Sequence, residues 1–231
     1  MKTLYTSKLL LSALLVTAGF PALAQNAMLV PDEMPQVQEV VLSPMDQDIA
    51  SLQKEWARIK YQLSDKKRQL SAIHTLEANA SKITAKYPNK AEPRIWEGII
   101  VSTDAGFTGG LSALGKVKTA KKLFEGALKI NSKAMDGSAY TSLGSLYYQV
   151  PGWPIGFGSD DKAEEYLKKA LSINPNGIDP NYFYGDFLAQ DGRKKEAKVY
   201  FERALQAPDR PSRPLADTGR RQEIKAALAK L

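Results

Sequence analysis

The sequence predicts an all-α solenoid of about four antiparallel helix pairs followed by a C-terminal capping helix. Three observations carry this reading. From Met45 onward apolar residues recur every three or four positions, as in Ile49, Leu52, Trp56, Ile59 and Leu63, which gathers them on one helical face. A small-large-small pattern appears twice, in Ala163-Leu167-Ala170 and Ala197-Phe201-Ala204, and Ala170 to Ala204 spans 34 residues, the period of one class of paired-helix repeat. Upstream of each copy stands a large residue followed by glycine, Leu143-Gly144 and Tyr184-Gly185.

The chain opens with Lys2 and Lys8 around the start of an apolar run, Leu9 to Phe20, that ends in Ala22-Leu23-Ala24. This is the order of a secretory signal peptide, expected over residues 1–24 with cleavage after Ala24. The run of about 12 apolar residues is short of the roughly 20 that span a bilayer, and no later stretch is long and apolar enough, so no membrane span is expected in the mature chain. Export leads to the periplasm or outside the cell, and the periplasm is the expected address. There is no cysteine, which excludes disulfides, thiolate metal sites and an N-terminal lipid on cysteine. The formal charge is +7, and two of those charges are Lys2 and Lys8 of the leader. The remaining excess is mild and forms no basic stripe, so nucleic acid is not an expected partner.

Residues 25–44 are rich in Pro, Gln and Val, and prolines at 31, 35 and 44 interrupt any helix, so this segment reads as a flexible linker. The helical domain is expected over 45–231, with units at about 45–88, 91–132, 136–175 and 179–208. The fourth unit keeps register without a gap, from Asn181, Tyr184-Gly185 and Leu188 to Ala197. In the third, Tyr140, Leu143-Gly144 and Tyr147 supply the first helix. The second unit has Gly98 and Ala120-Phe124-Ala127; the first has Trp56 and the looser Leu76-Ala80-Ile83. Beyond the Arg/Pro-rich stretch 209–214, Ile224, Leu228 and Leu231 mark a capping helix over 215–231, because a solenoid must cover the apolar face of its last repeat.

The residue types have a packing reason. Glycine on one helix and alanine twice on its partner let the two backbones approach closely, while the large residues fill the space between neighbouring pairs. These residues resemble the tetratricopeptide-repeat (TPR) motif, W-x-x-L-G-x-x-Y followed by A-x-x-x-F-x-x-A and P, over most of the mature chain. Two departures lie inside units: extra residues at Tyr148 to Gly158, and a similar excess at Asp104 to Gly110. Both combine glycine with aromatics and read as loops.

No catalytic apparatus is expected. Gly110 to Val117 has the G-x-x-x-x-G-K spacing of a phosphate loop, but Val117 replaces the Ser or Thr that would hold magnesium. The only histidine, His74, has no second histidine or cysteine to complete a metal site. Serine-nucleophile patterns are lacking in a suitable context, and Asp160-Asp161 read as acids at a helix start. No cofactor and no metal are expected.

Aromatics gather in the third and fourth units. Tyr140, Tyr147 and Tyr184 fall on repeat-core positions, whereas Trp153, Phe157 and Tyr182 are extra to the motif. Pro151 and Pro154 stiffen the loop that holds Trp153. Such a loop either plugs the groove of the superhelix or forms one wall of a binding pocket. Tyrosine and tryptophan anchor interfaces, so the expected partner site comprises Tyr148, Gln149, Trp153, Phe157, Asp179, Tyr182 and Asp186. An open groove would favour a protein segment; an enclosed apolar pocket lined by Trp153, Phe157 and Tyr182 would favour a small molecule.

The run Ser138 to Pro154, with Asp179 to Asp186 after it, resembles a group of short exported proteobacterial TPR proteins, and is more distantly similar to the TPR-containing T component associated with tripartite ATP-independent periplasmic (TRAP) transporters. The repeat and the aromatic surplus lead to the expectation of a periplasmic interaction scaffold whose concave face, with the Trp153 loop, receives a segment of another envelope protein. A periplasmic substrate-binding protein is one candidate partner, and a transport accessory that binds or passes a small apolar ligand is the alternative role. The lipid anchor common in the T component has no cysteine to carry it here.

Overall fold

The computed structural model describes residues 42–231; the leader expected over 1–24 and nearly all of the linker expected over 25–44 lie outside them. Among the described residues there are nine helices and no strand: α1 (Pro44–Gln62), α2 (Lys66–Lys86), α3 (Ala91–Thr108), α4 (Ala113–Ile130), α5 (Ala134–Gln149), α6 (Asp160–Ile173), α7 (Ile178–Gln190), α8 (Lys194–Leu205) and α9 (Pro214–Leu228). No helix of these is long and apolar enough to cross a membrane. Pro44, grouped above with the helix-interrupting prolines, instead opens α1. The Ser43 hydroxyl accepts from the Asp46 backbone N–H at 3.2 Å, and proline's missing N–H has no helical acceptor to lose in the first turn.

The pairs α1/α2, α3/α4, α5/α6 and α7/α8 pack through the small residues that the repeat pattern singles out. Ala120, Ala127, Ala163, Ala170, Ala197 and Ala204 are all fully buried, as are Phe124, Leu167 and Phe201 between them. Three glycines receive those large residues: a Cβ on Gly98 would strike the Phe124 ring, one on Gly144 the Leu167 side chain, and one on Gly185 the Phe201 ring. The fold is an all-α, TPR-like solenoid. Asn181, also fully buried, donates from Nδ2 to the carbonyls of Pro175 and Gly177, both at 2.8 Å, and so holds the turn between the third and fourth units.

One expected loop is helix. The extra residues at Asp104 to Gly110 extend α3 through Thr108, leaving only a short turn before α4. Asp104, fully buried in the last turns, explains why the helix continues. Thr108 Oγ1 donates to it at 3.0 Å, Lys116 Nζ lies 2.7 Å away, and His74 Nε2 of α2 lies at 3.3 Å. Lys116 of the phosphate-loop-like segment is thus committed to Asp104 and to Glu77, at 3.1 Å.

The first helices of the pairs, α1, α3, α5 and α7, pack each on the next, and α9 packs on α7, α8 and also on α1. These five close into a ring, and α2, α4, α6 and α8 each bridge two neighbours of it. Small residues on α9 permit the closure. Ala216 is buried with Trp56 and Trp96, and Gly219 faces Tyr61 so closely that a Cβ would overlap the ring. Ion pairs complete it: Asp179 to Arg220 at 2.9 Å, Arg220 to Glu223 at 2.6 Å, and Glu223 to Lys60 at 3.0 Å lead from α7 through α9 to α1.

Candidate functional site between α7 and α9

The seven residues expected to share one surface occupy three places. Tyr148, Gln149 and Asp186 come together on the facing sides of α5 and α7. The Tyr148 hydroxyl donates to Asp186 Oδ2 at 2.7 Å, Gln149 Nε2 donates to the Tyr148 oxygen at 3.1 Å, and Gln190 Nε2 donates to Asp186 at 3.0 Å. Burial and the Asp186 carboxylate hold the Tyr148 hydroxyl well above its ordinary pKa. One turn back on α7, Tyr182 lies under the Arg220 guanidinium, 4.3 Å from its ring centre, and burial pushes its hydroxyl up to about 12 against the pull of that cation.

Asp179 stands apart, at the first turn of α7. It pairs with Arg210 at 2.7 Å and Arg220 at 2.9 Å. Burial would raise its pKa, but the Arg220 and Arg210 charges overcome this and hold the carboxyl well below the usual range. Asp179 therefore joins α7 to α9.

The Trp153 loop is not a plug. Trp153 is 90% exposed, while Phe157 folds back edge-on against Tyr147, ring centres 5.4 Å apart. The loop braces itself: Ile155 and Gly156 donate to the Gly152 carbonyl at 3.1 and 3.0 Å, Gly158 to Pro151 at 3.0 Å, and Ser159 to Tyr147 at 2.9 Å. A Cβ on Gly158 would run into the Val150 carbonyl oxygen, so the turn needs glycine there. Neither Trp153 nor Phe157 contacts the ring of Tyr182, and no enclosed pocket is built from the three.

The concave face expected to be free is partly covered, because α9 packs on α7, α8 and α1. What α9 leaves is a solvent-open groove of about 480 Å³ against α7, lined by Tyr182, Asp186, Gln190, Phe201, Glu223 and Lys230 among others. Its α9 wall escaped the sequence reading, which followed Ile224, Leu228 and Leu231. The row Gly219, Glu223 and Ala227, at four-residue spacing in α9, marks another face. Among the described residues no group of three His, Cys, Asp or Glu could hold a metal.

Helix pairs joined through small residues, with a closing helix and a partly aromatic groove, define a helical-repeat protein of the kind that offers surfaces to other proteins. Residues 156–176 and 178–209 match the family model described as tetratricopeptide repeat, covering α6 and the α7/α8 pair. A solved structure reported under "Functional Characterization of Pseudomonas Aeruginosa pilF" is similar over 81% of this chain and 91% of its own length, with 13% sequence identity and a TM-score of 0.33. No curated protein matches the chain.

Proposed function

We propose that this chain is a protein-interaction scaffold of the bacterial envelope that receives a segment of a partner protein in the groove between α7 and α9. The observation that carries the proposal is the groove itself: where α9 meets α7 and α8 it leaves the half-buried Tyr182 ring beside the acids Asp186 and Glu223 and the cation of Lys230. Tyrosine anchors a segment by area, and the fixed charges set its register. The α7/α8 wall coincides with the second repeat match, 178–209.

Ala226 is exposed on the α9 wall, so Ala226→Trp fills the groove without entering the core. Pull-down from envelope extract is expected to recover a partner with wild type and with Trp153→Ala but to lose it with Ala226→Trp. Equal recovery with all three would remove the groove from the site. The periplasmic address rests on the leader residues, and N-terminal sequencing of the exported protein is expected to start at Gln25; a start at Met1 would contradict it. A small-molecule accessory role would need Trp153, Phe157 and Tyr182 around one cavity, and no observation favours that reading.

A further inference from the structure

Charge is divided unevenly between the two edges of the helical domain. The connections within pairs, 63–68, 109–118, 150–162 and 191–196, contain nine lysines and arginines against five acids. The connections outside the pairs, 86–92, 130–136, 173–179 and 205–217, contain five against five. At the first edge Lys66, Lys67 and Arg68 form the first turn of α2, Lys116 and Lys118 lie near the start of α4, and Lys194 and Lys195 open α8; neither α2 nor α4 has an acid in its first turn. Cations there meet the positive end of the helix dipole, which disfavours them in a free helix. Because α1, α3, α5 and α7 end at the edge where α2, α4, α6 and α8 begin, the helix dipoles offset one another there, and the positive field of this edge comes from its lysines. The acids Asp65, Asp160, Asp161, Asp191 and Glu196 offset it in part, and Lys116 and Arg193 are already paired, with Asp104 and Glu77 and with Glu164 and Asp191; Lys66, Lys67, Lys118 and Lys195 are among its exposed lysines.

Apolar side chains stand out of the same edge. Trp153 is 90%, Leu111 78% and Ile155 55% exposed, on the connections of the second and third pairs. Lys121 Nζ, 5.7 Å from the Phe157 ring, puts the Trp153 loop beside the basic face of α4. Trp153 and Ile155 share one tip and Leu111 stands on another. A protein partner would have to match each tip in shape, whereas a fluid interface admits them independently.

We propose that this edge docks on an anionic phospholipid bilayer, with Trp153, Ile155 and Leu111 entering the headgroup region and Lys66, Lys67, Lys118 and Lys195 over the phosphates. Tryptophan favours that depth, and apolar insertion combined with basic residues gives reversible peripheral binding. Trp153, Ile155, Leu111 and the α2 lysines lie outside the α7–α9 groove, which meets this edge at Lys194, so variants at those residues test this proposal without touching the groove.

Trp153 is its own reporter. Trp56 and Trp96 are 5% and 1% exposed, and no other tryptophan occurs in the chain. The full chain is mixed with vesicles of phosphatidylcholine alone or of phosphatidylcholine with phosphatidylglycerol at about 3:1. Expected are co-sedimentation with the anionic vesicles only, a blue shift of tryptophan emission on binding, and loss of that shift in Trp153→Phe. Lys66→Glu/Lys67→Glu is expected to weaken binding about tenfold or more, while Lys90→Glu/Lys133→Glu, the same charge change on the opposite edge, leaves it within about twofold. No blue shift with anionic vesicles, or equal losses from the two charge reversals, would overturn the proposal.

Discussion

Asp179 Oδ1 accepts a hydrogen bond from Arg220 Nε at 2.9 Å, and this contact fastens the first turn of α7 to the middle of α9. Arg220 is only 6% exposed at its side chain and holds Glu223 on its other flank. Asp179→Ala leaves a buried guanidinium with half its counter-charge and frees Arg210 as well. A loss of about 2–4 kcal/mol is expected, read from the urea midpoint. A change below about 0.5 kcal/mol would mean that α9 is held by packing alone.

The acid side of the stability profile follows from the carboxylates. Glu164 of α6 is held down to about 2, first by the hydrogen bond from Arg193 and then by Lys168 and Tyr184; Asp179 is held lower still by its arginines. A folded-state pKa below the unfolded one means that the folded state binds the proton less readily, so the contribution is complete above the unfolded value, about 4.3 for glutamate, and is lost as pH falls through the folded one. The urea midpoint should therefore be level near neutrality and decline from about pH 4.5 towards 2. Glu164→Gln should be less stable at neutral pH and decline less steeply; parallel curves would contradict the assignment.

Two glycines in helices separate close approach from mere helix propensity. A Cβ on Gly144 would lie 2.5 Å from Leu167 Cγ and 3.1 Å from the Ala163 carbonyl, whereas one on Gly126 would meet only the Arg94 side chain at 3.9 Å. Gly144→Ala is expected to destabilise by about 1–3 kcal/mol through overpacking, and Gly126→Ala to stabilise by about 0.5–1 kcal/mol. Thermal or urea unfolding of the two variants measures both; the same sign for both would undo the close-packing account of the repeat.

Ala163, Ala170, Ala197 and Ala204 were legible as core because a repeat writes the same contact several times, and each copy checks the others. Trp153 was not, since proline and tryptophan in one loop suit a plug and a protruding tip equally, and only the hydrogen bonds back to Gly152 and Pro151 decide which. The α3 extension was hidden by Gly106, whose weak helix propensity is overridden once Asp104 finds Lys116 and Thr108. The role of α9 was least legible. Its apolar positions announced a helix that covers the last repeat, but contact with α1 depends on the curvature of the whole solenoid, a sum of small rotations that no single residue records.

Ring closure is the claim on which the groove depends, and one cross-link tests it. A Cβ on Gly219 would lie 2.5 Å from Tyr61 Cγ, so cysteines at 61 and 219 would have Cβ atoms within about 4 Å of each other, the separation a disulfide needs. The chain has no other cysteine to interfere. Mild oxidation of Tyr61→Cys/Gly219→Cys should give an intramolecular disulfide, seen as a faster band on a non-reducing gel and as a linked peptide by mass spectrometry. Two thiols that stay free and react fully with maleimide under the same oxidation would show that α9 does not rest on α1.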